Sequence, residues 1–269
     1  MSSISNSLYN IEHLDDLARK ETFVHKLHPL VKLIVTLAFL TMVASFGRYE
    51  IERLLPLFLY PVIIITLAEL PIAPIFKRLL IVEPFIIGIG ILNPFFEKKT
   101  FVLAGLTLST GWITLLSIFI KSGLTVASVL LLVATTGMDR LAAALRMLRI
   151  PRLFVLQLLL TYRYISVLME EAERMLRAYA LRSPLQKGIH ISDWGSFAGQ
   201  LVLRTFDRAQ RVYRAMCVRG FTGEYNTGEH IKFKMADILY LVGWLLFFVV
   251  TRMYNIPMLI GTLFTGVIK

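Results

Sequence analysis

Leu181-Arg182-Ser183 and Val218-Arg219-Gly220 decide how this chain reads. Each triplet closes a long amphipathic segment, and both lie between apolar blocks fit to span a membrane. An arm held by membrane helices, with an arginine at the end of each of two helices, suits mechanical coupling better than chemistry on a substrate. An isolated arginine in a last helical turn has a plainer reading, since a cation there gains about 0.3–1 kcal/mol from the helix macrodipole. Two of them, each after a long amphipathic helix and each followed by a stop residue, ask for a shared role.

The composition around the triplets sets the surroundings. The chain has 269 residues, 56% of them hydrophobic, and a mean hydropathy of +0.67. Soluble domains are roughly 45–50% apolar, so the excess points to a bilayer. The net charge is +11, and residues 139–235 alone hold 16 Lys/Arg against 8 Asp/Glu. A basic stretch beside membrane spans reads as the cytoplasmic side, with contact to anionic headgroups as the plainer alternative. Nucleic acid is not expected as a partner, because no known binding module accompanies the charge. Cys217 is the only cysteine, which excludes an intramolecular disulfide and a cysteine-based metal cage. Met1 to Lys26 is polar and lacks an apolar core, so the first apolar block is expected to insert as an uncleaved span.

Spanning a bilayer as a helix takes roughly 20 apolar residues, with about 17 as a minimum. Leu30–Phe46, Leu54–Leu70 and Leu79–Phe96 qualify, the first carrying Lys32 near its end and the second broken by Pro56 and Pro61. Pro71, Pro74, Lys77 and Arg78 read as a short basic cytoplasmic turn, and Glu97-Lys98-Lys99 follows the third span. Ser109 is a plausible N-cap, so the fourth span is expected from near Thr110 to near Thr136. Lys121 lies inside it, at a cost of about 2.5–3.5 kcal/mol at the bilayer centre. Either it snorkels along a tilted helix, or it has a partner, for which Glu83 is the nearest acidic candidate by depth.

Beyond Thr136 the character changes. Asp139–Arg149 reads as a short helix with Leu141, Ala144, Leu145 and Leu148 on one side, ended by Pro151. From Leu153 to Leu181 a single stripe runs through Phe154, Leu158, Thr161, Ile165, Leu168, Ala172, Leu176 and Tyr179. Glu170, Glu171, Glu173, Arg174 and Arg177 load its second half, so a full span is not expected, and Ser183-Pro184 stops it. Ser192-Asp193 are capping residues for the next helix, which sets Val202, Phe206, Ala209, Tyr213 and Met216 on one stripe and Arg204, Arg208 and Arg211 on another. Gly220 ends it in a left-handed conformation. Ile238–Val250 returns to membrane character, Asn255-Ile256-Pro257 interrupts it, and Met258–Ile268 is a possible sixth span. The expected fold is all-α and polytopic, with five or six transmembrane helices and a cytoplasmic coupling-helix domain. Its parts are an amino-terminal arm (1–29), membrane helices (30–136), coupling helices (137–235) and a carboxy-terminal membrane segment (236–269). An inside amino terminus leaves Arg48, Arg53, Lys98 and Lys99 outside, beside Glu50, Glu52 and Glu97.

Catalytic and cofactor motifs are missing. The chain contains no G-x-x-x-x-G-K-[ST], no H-E-x-x-H and no G-x-S-x-G. His13, Asp15, Asp16, His25 and His28 are dense enough to raise a metal site, but a solvated, partly capping arm is the better reading. No metal and no cofactor is expected.

His25 to Lys32, Thr135-Thr136, Leu141–Pro151, Tyr162-Arg163-Tyr164-Ile165 with Glu170-Glu171, and Ala215 to Phe221 together resemble a known family. It is the transmembrane T component of energy-coupling factor transporters, and within it the cobalt-type subunit. The family's signatures are Ala-Arg-Gly-like triplets closing two coupling helices. Leu181 and Val218 depart at the first position, Ser183 replaces one glycine, and Arg182, Arg219 and Gly220 are kept. The resemblance implies a non-catalytic subunit in a prokaryotic plasma membrane, joining a membrane-embedded, substrate-binding S subunit to two ABC-type ATPases. Arg182 and Arg219 would each dock in one ATPase, and the metal ligands would belong to the S subunit. A self-sufficient secondary transporter, with Lys121 and Glu83 as its coupling pair, is the alternative. An integral-membrane enzyme is a third reading, disfavoured by the missing motifs.

Overall fold

The computed structural model describes residues 17–92, 100–103, 106–183, 188–223, 232–254 and 257. The helices are α1 (Phe23–Lys26), α2 (Pro29–Ser45), α3 (Leu59–Leu67, preceded by a 3₁₀ segment Glu52–Phe58), α4 (Ile72–Gly90), α5 (Gly111–Thr136), α6 (Met138–Met147), α7 (Arg152–Arg182), α8 (Trp194–Val218, preceded by a 3₁₀ turn Ile191–Asp193) and α9 (Met235–Met253). One short hairpin, β1 (Thr100–Leu103) with β2 (Leu106–Ser109), pairs Thr100 with Ser109 and Leu103 with Leu106. The all-α polytopic architecture holds apart from that hairpin. Two compact units result, one from the described residues of Leu17–Gly137 and Ile231–Lys269, the other from those of Met138–His230.

In the first unit α5 is the helix on which α2, α3 and α4 pack, and α9 packs on α2. Val35, Phe39 and Val43 recur every fourth residue and are fully buried, forming the face α2 turns inward. Phe39 stacks on Tyr60 at 4.5 Å, Tyr60 meets Trp244 edge-on at 4.8 Å, and Phe248 closes the cluster against Phe39 at 5.6 Å. The aromatic cluster therefore ties α2, α3 and α9 together.

The intramembrane lysines are explained by helix ends. A helix leaves its last carbonyls without internal partners, and hydrocarbon offers no water to satisfy them. Lys32, in the first turn of α2, donates to the carbonyl of Thr135 at the end of α5, at 2.8 Å. Lys121 of α5 donates to the carbonyls of Phe46 (2.7 Å) and Gly47 (3.3 Å) at the end of α2. Phe46 lies 14 positions after Lys32, and Thr135 lies 14 positions after Lys121. Both distances are about 21 Å along a helix, so α2 and α5 run antiparallel in a register where each caps the other. Arg252, in the last turn of α9, adds a donor to the Ser45 carbonyl at 3.3 Å. At the opposite end of α2, Asp237 accepts the backbone N–H groups of His28 and Lys234, both at 2.7 Å, so one carboxylate caps α2 and α9 together.

Several expectations need correction. Lys77 and Arg78 lie in the second turn of α4, not in a turn before it. Pro71 at its N-cap and Pro74 in its first turn start the helix, because the N–H groups they lack would have no partner there. Thr110, not Ser109, is the N-cap of α5, since Ser109 closes the hairpin. His25 and His28 are buried rather than solvated, while Glu21, Phe23 and Lys26 beside them are exposed. His28 still caps, its Nδ1 accepting the Leu30 N–H at 3.2 Å. The five expected spans correspond in order to α2, the 3₁₀ segment with α3, α4, α5 and α9. By length and apolar composition, three described helices can cross a membrane, α5, α7 and α9, and α2 is a shorter apolar helix. That includes α7, which was not expected to qualify; its first half supplies the apolar window and its second half the charges. Glu97-Lys98-Lys99, His13 with its acidic neighbours, and Met258–Ile268 lie outside the described residues.

Replacing Lys121 with Met should leave the Phe46 and Gly47 carbonyls without their lysine donor and cost about 1–3 kcal/mol, read as lower thermal stability in detergent. Glu83→Gln keeps an acceptor for its neighbour and should leave stability nearly unchanged. Equal losses from both would contradict the capping role.

Candidate coupling surface

In the second unit α6 and α7 share a small core of Ala142, Val155 and Leu159. Ala142 is fully buried there, whereas Leu148 is exposed beyond the helix end, just before Arg149 turns the chain at φ +63°. α7 is 31 residues long and α8 is 25, about 46 Å and about 37 Å. An apolar groove of about 630 Å³ runs between them, lined by Leu153 and Leu156 near the start of α7 and by Met216 and Phe221 at the end of α8. Those pairings make the helices antiparallel. Arg182 and Arg219 consequently stand at opposite ends of the pair.

The stripes divide the labour along these helices. Arg204 reaches across from α8 to Glu171 at 2.6 Å, and Arg174 (3.1 Å) completes a charged cluster with it. The hydrogen bond from Arg204 holds the Glu171 carboxyl below its ordinary range. Arg177 pairs with Glu173 at 3.4 Å. By contrast, neither the Arg182 nor the Arg219 side chain has a hydrogen bond or ion pair among the described residues. Their flanks are open as well: Leu181 is 83% and Val218 88% exposed.

The two helix ends are built differently. Arg219 is the C-cap of α8, and Gly220 follows at φ +80°. The Gly220 N–H donates to the Cys217 carbonyl and the Phe221 N–H to the Met216 carbonyl, each at 3.0 Å. This double closure is the Schellman arrangement, which favours glycine at its left-handed position. Arg182 is the last residue of α7, and Ser183 leaves at φ −130° while donating its N–H to the Tyr179 carbonyl at 3.0 Å. That φ makes no demand for glycine, which is why serine serves in the first triplet.

Lys121 and Glu83 are not brought together. Lys121 serves the α2 carbonyls, and Glu83 accepts from the Ser122 hydroxyl at 3.2 Å. His25 contacts Thr22 and the Leu17 carbonyl, and His28 stacks on Phe233 at 3.8 Å. Among the described residues no three His, Cys, Asp or Glu side chains gather as a metal site would require. Sequence reasoning missed the roles of Tyr179 and Asp193. Tyr179 was read as a stripe residue and Asp193 as a helix cap, yet Asp193 makes no side-chain cap and instead accepts the Tyr179 O–H at 2.6 Å.

The described helices, three of them long and apolar enough to cross a membrane, make an all-α polytopic fold of membrane type. The description "CbiQ: Cobalt transport protein" matches residues 20–230, and the chain belongs to that family. It is 23% identical over 267 residues to an uncharacterized protein of Methanocaldococcus jannaschii, covering 89% of each chain. It is 23% identical over 236 residues to the energy-coupling factor transporter transmembrane protein EcfT of Ruminiclostridium cellulolyticum, covering 81% of this chain and 87% of that one. The nickel permease LarQ of Lactiplantibacillus plantarum is 29% identical over 156 residues, 56% of this chain and 55% of LarQ.

Gly220→Ala meets open space, so its penalty is conformational alone, about 1 kcal/mol. Amide hydrogen exchange at Gly220 and Phe221 should accelerate roughly fivefold. Arg149→Gly relieves the same strain at the end of α6 and should slow exchange at Ile150. Unchanged exchange in both variants would refute this account of the helix ends.

Proposed function

We propose that this chain is the energy-coupling transmembrane subunit of an ATP-driven importer for a transition-metal ion. The family description points to cobalt. One observation carries the reading. Two arginines, at opposite ends of an antiparallel helix pair, are exposed and have no partner among the described residues. Each guanidinium is a planar fork matched to carboxylates, so each helix end suits an acidic groove on one of two ATP-binding-cassette subunits. Closure of the ATPase pair on ATP would move the two helix ends, and the pair would pass that motion to a membrane-embedded S subunit that holds the metal. The subunit itself is non-catalytic, sits in a prokaryotic plasma membrane with its amino terminus inside, and presents α6 to α8 to the cytoplasm. The secondary-transporter alternative relied on a Lys121–Glu83 pair, and those residues have separate partners.

Arg182→Glu and Arg219→Glu, singly, should weaken ATPase association by roughly thirtyfold, the scale of a buried charge contact losing about 2 kcal/mol. The double variant should release the co-expressed ATPase on purification from membranes, and full retention would refute the coupling role. For topology, on a Cys217→Ser background, Arg48→Cys should react with an impermeant maleimide on intact cells and Gln200→Cys should not. The reverse pattern would invert the orientation. Calorimetry of the isolated chain with Co²⁺ should show only weak heats, whereas stoichiometric submicromolar binding would return the metal site to this chain.

A further inference from the structure

The elbow between α7 and α8 is closed by a hydrogen bond outside both arginine triplets. Tyr179, three residues before Arg182, donates its phenolic O–H to Asp193 Oδ2 at 2.6 Å, and Asp193 immediately precedes α8. This length is that of a bond to an ionised carboxylate. Asp193 Oδ1 accepts the Ser192 hydroxyl at 3.1 Å, and the His190 N–H points to the Tyr179 oxygen at 3.4 Å. The bond holds the Asp193 carboxyl below its ordinary range and the Tyr179 phenol above its own. Two contacts from the chain entering α8, from His190 and from Asp193, thus converge on one side chain of α7.

A geometric consequence follows. About ten residues join the two helices, and extended at about 3.3–3.6 Å each they can separate the helix ends by more than 30 Å. Pinning Asp193 to Tyr179 removes that freedom and starts α8 within about one turn of Arg182. From there α8 runs its 25 residues to Arg219. Further along, the Arg204–Glu171 contact at 2.6 Å holds α8 against α7 at a second point. Two points fix a direction as well as an origin.

We infer that Tyr179 is a positioning residue, whose bond to Asp193 makes α8 a strut of fixed length holding Arg182 and Arg219 at the spacing required by the two ATPase subunits. The inference rests on the arginine-docking reading above. Neither Tyr179 nor Asp193 touches the ATPase in this account. They set where the two contacts are.

The test separates the pin from the docking. In full-length protein in nanodiscs, on a Cys217→Ser background, spin labels at Ala178→Cys and Gln210→Cys report the arrangement of the helices by pulsed electron resonance. The unmodified elbow should give one narrow distance distribution. Tyr179→Phe, which keeps the ring and removes only the hydroxyl, should broaden it, Asp193→Asn should do the same, and the double variant should add nothing. Affinity for the co-expressed ATPase should fall about three- to tenfold in Tyr179→Phe, as expected when the competent arrangement drops to a tenth or a third of the population. Arg182→Ala should leave the distribution narrow while lowering ATPase affinity. A narrow distribution in Tyr179→Phe, or a broad one with unchanged ATPase affinity, overturns the inference. Full ATPase affinity in Arg182→Ala would instead overturn the docking reading, with the distance measurement still judging the pin.

Discussion

The carbonyl groups at the end of a helix have no partner within it, and inside a bilayer no water replaces the missing donor. Much of this molecule is arranged around that constraint. Lys32 and Lys121 are the costly residues of the apolar half, and each is placed where a neighbouring helix stops. The matching distance between lysine and carbonyl on both helices means that one register satisfies both ends. A slip of one turn would leave both lysines and both sets of carbonyls unsatisfied. The two polar contacts therefore fix the frame more sharply than the apolar packing around them, which tolerates sliding. Asp237 does the converse at helix starts, accepting N–H groups from α2 and α9.

The same electrostatics takes another form in the second unit. Arg182 and Arg219 also stand where helices end, and the macrodipole favours a cation there. They reach no carbonyl of a neighbouring helix, and their flanking residues are among the most exposed apolar groups of the chain. Other arginines of the same helices, Arg174, Arg177 and Arg204, are engaged by Glu171 and Glu173. Arg211 and Arg214, in the second half of α8, likewise have no ion pair among the described residues, so what sets Arg182 and Arg219 apart is their place at the two ends of the pair.

How legible this was from the sequence depended on whether a feature is local. The limits of α5 and α7 followed from apolar length and from stop residues, and the left-handed turn at Gly220 followed from its position after an amphipathic run. Lys121 was visible as an anomaly, but its partner was not. Charge pairing pointed to Glu83, whereas the groups it serves are backbone carbonyls, which carry no signature in sequence. Pro71 and Pro74 were read as a break because proline stops helices in their interiors, and here both fall where a helix begins. Tyr179 was hidden for another reason. Periodicity assigns a tyrosine to an apolar stripe by its ring, and only the fold of the elbow shows where its hydroxyl goes.

The central claim is that the ends of α7 and α8 are contact points for the ATPase subunits. A photo-reactive amino acid placed at Leu181 or at Val218, in membranes containing the co-expressed ATPase, addresses it directly. Phe206, exposed midway along α8 and about 20 Å along the helix from Arg219, serves as the control position. Irradiation should link the chain to the ATPase from both Leu181 and Val218 and not from Phe206. Adducts to lipid alone from the two helix ends, or ATPase adducts from Phe206 only, would contradict the account.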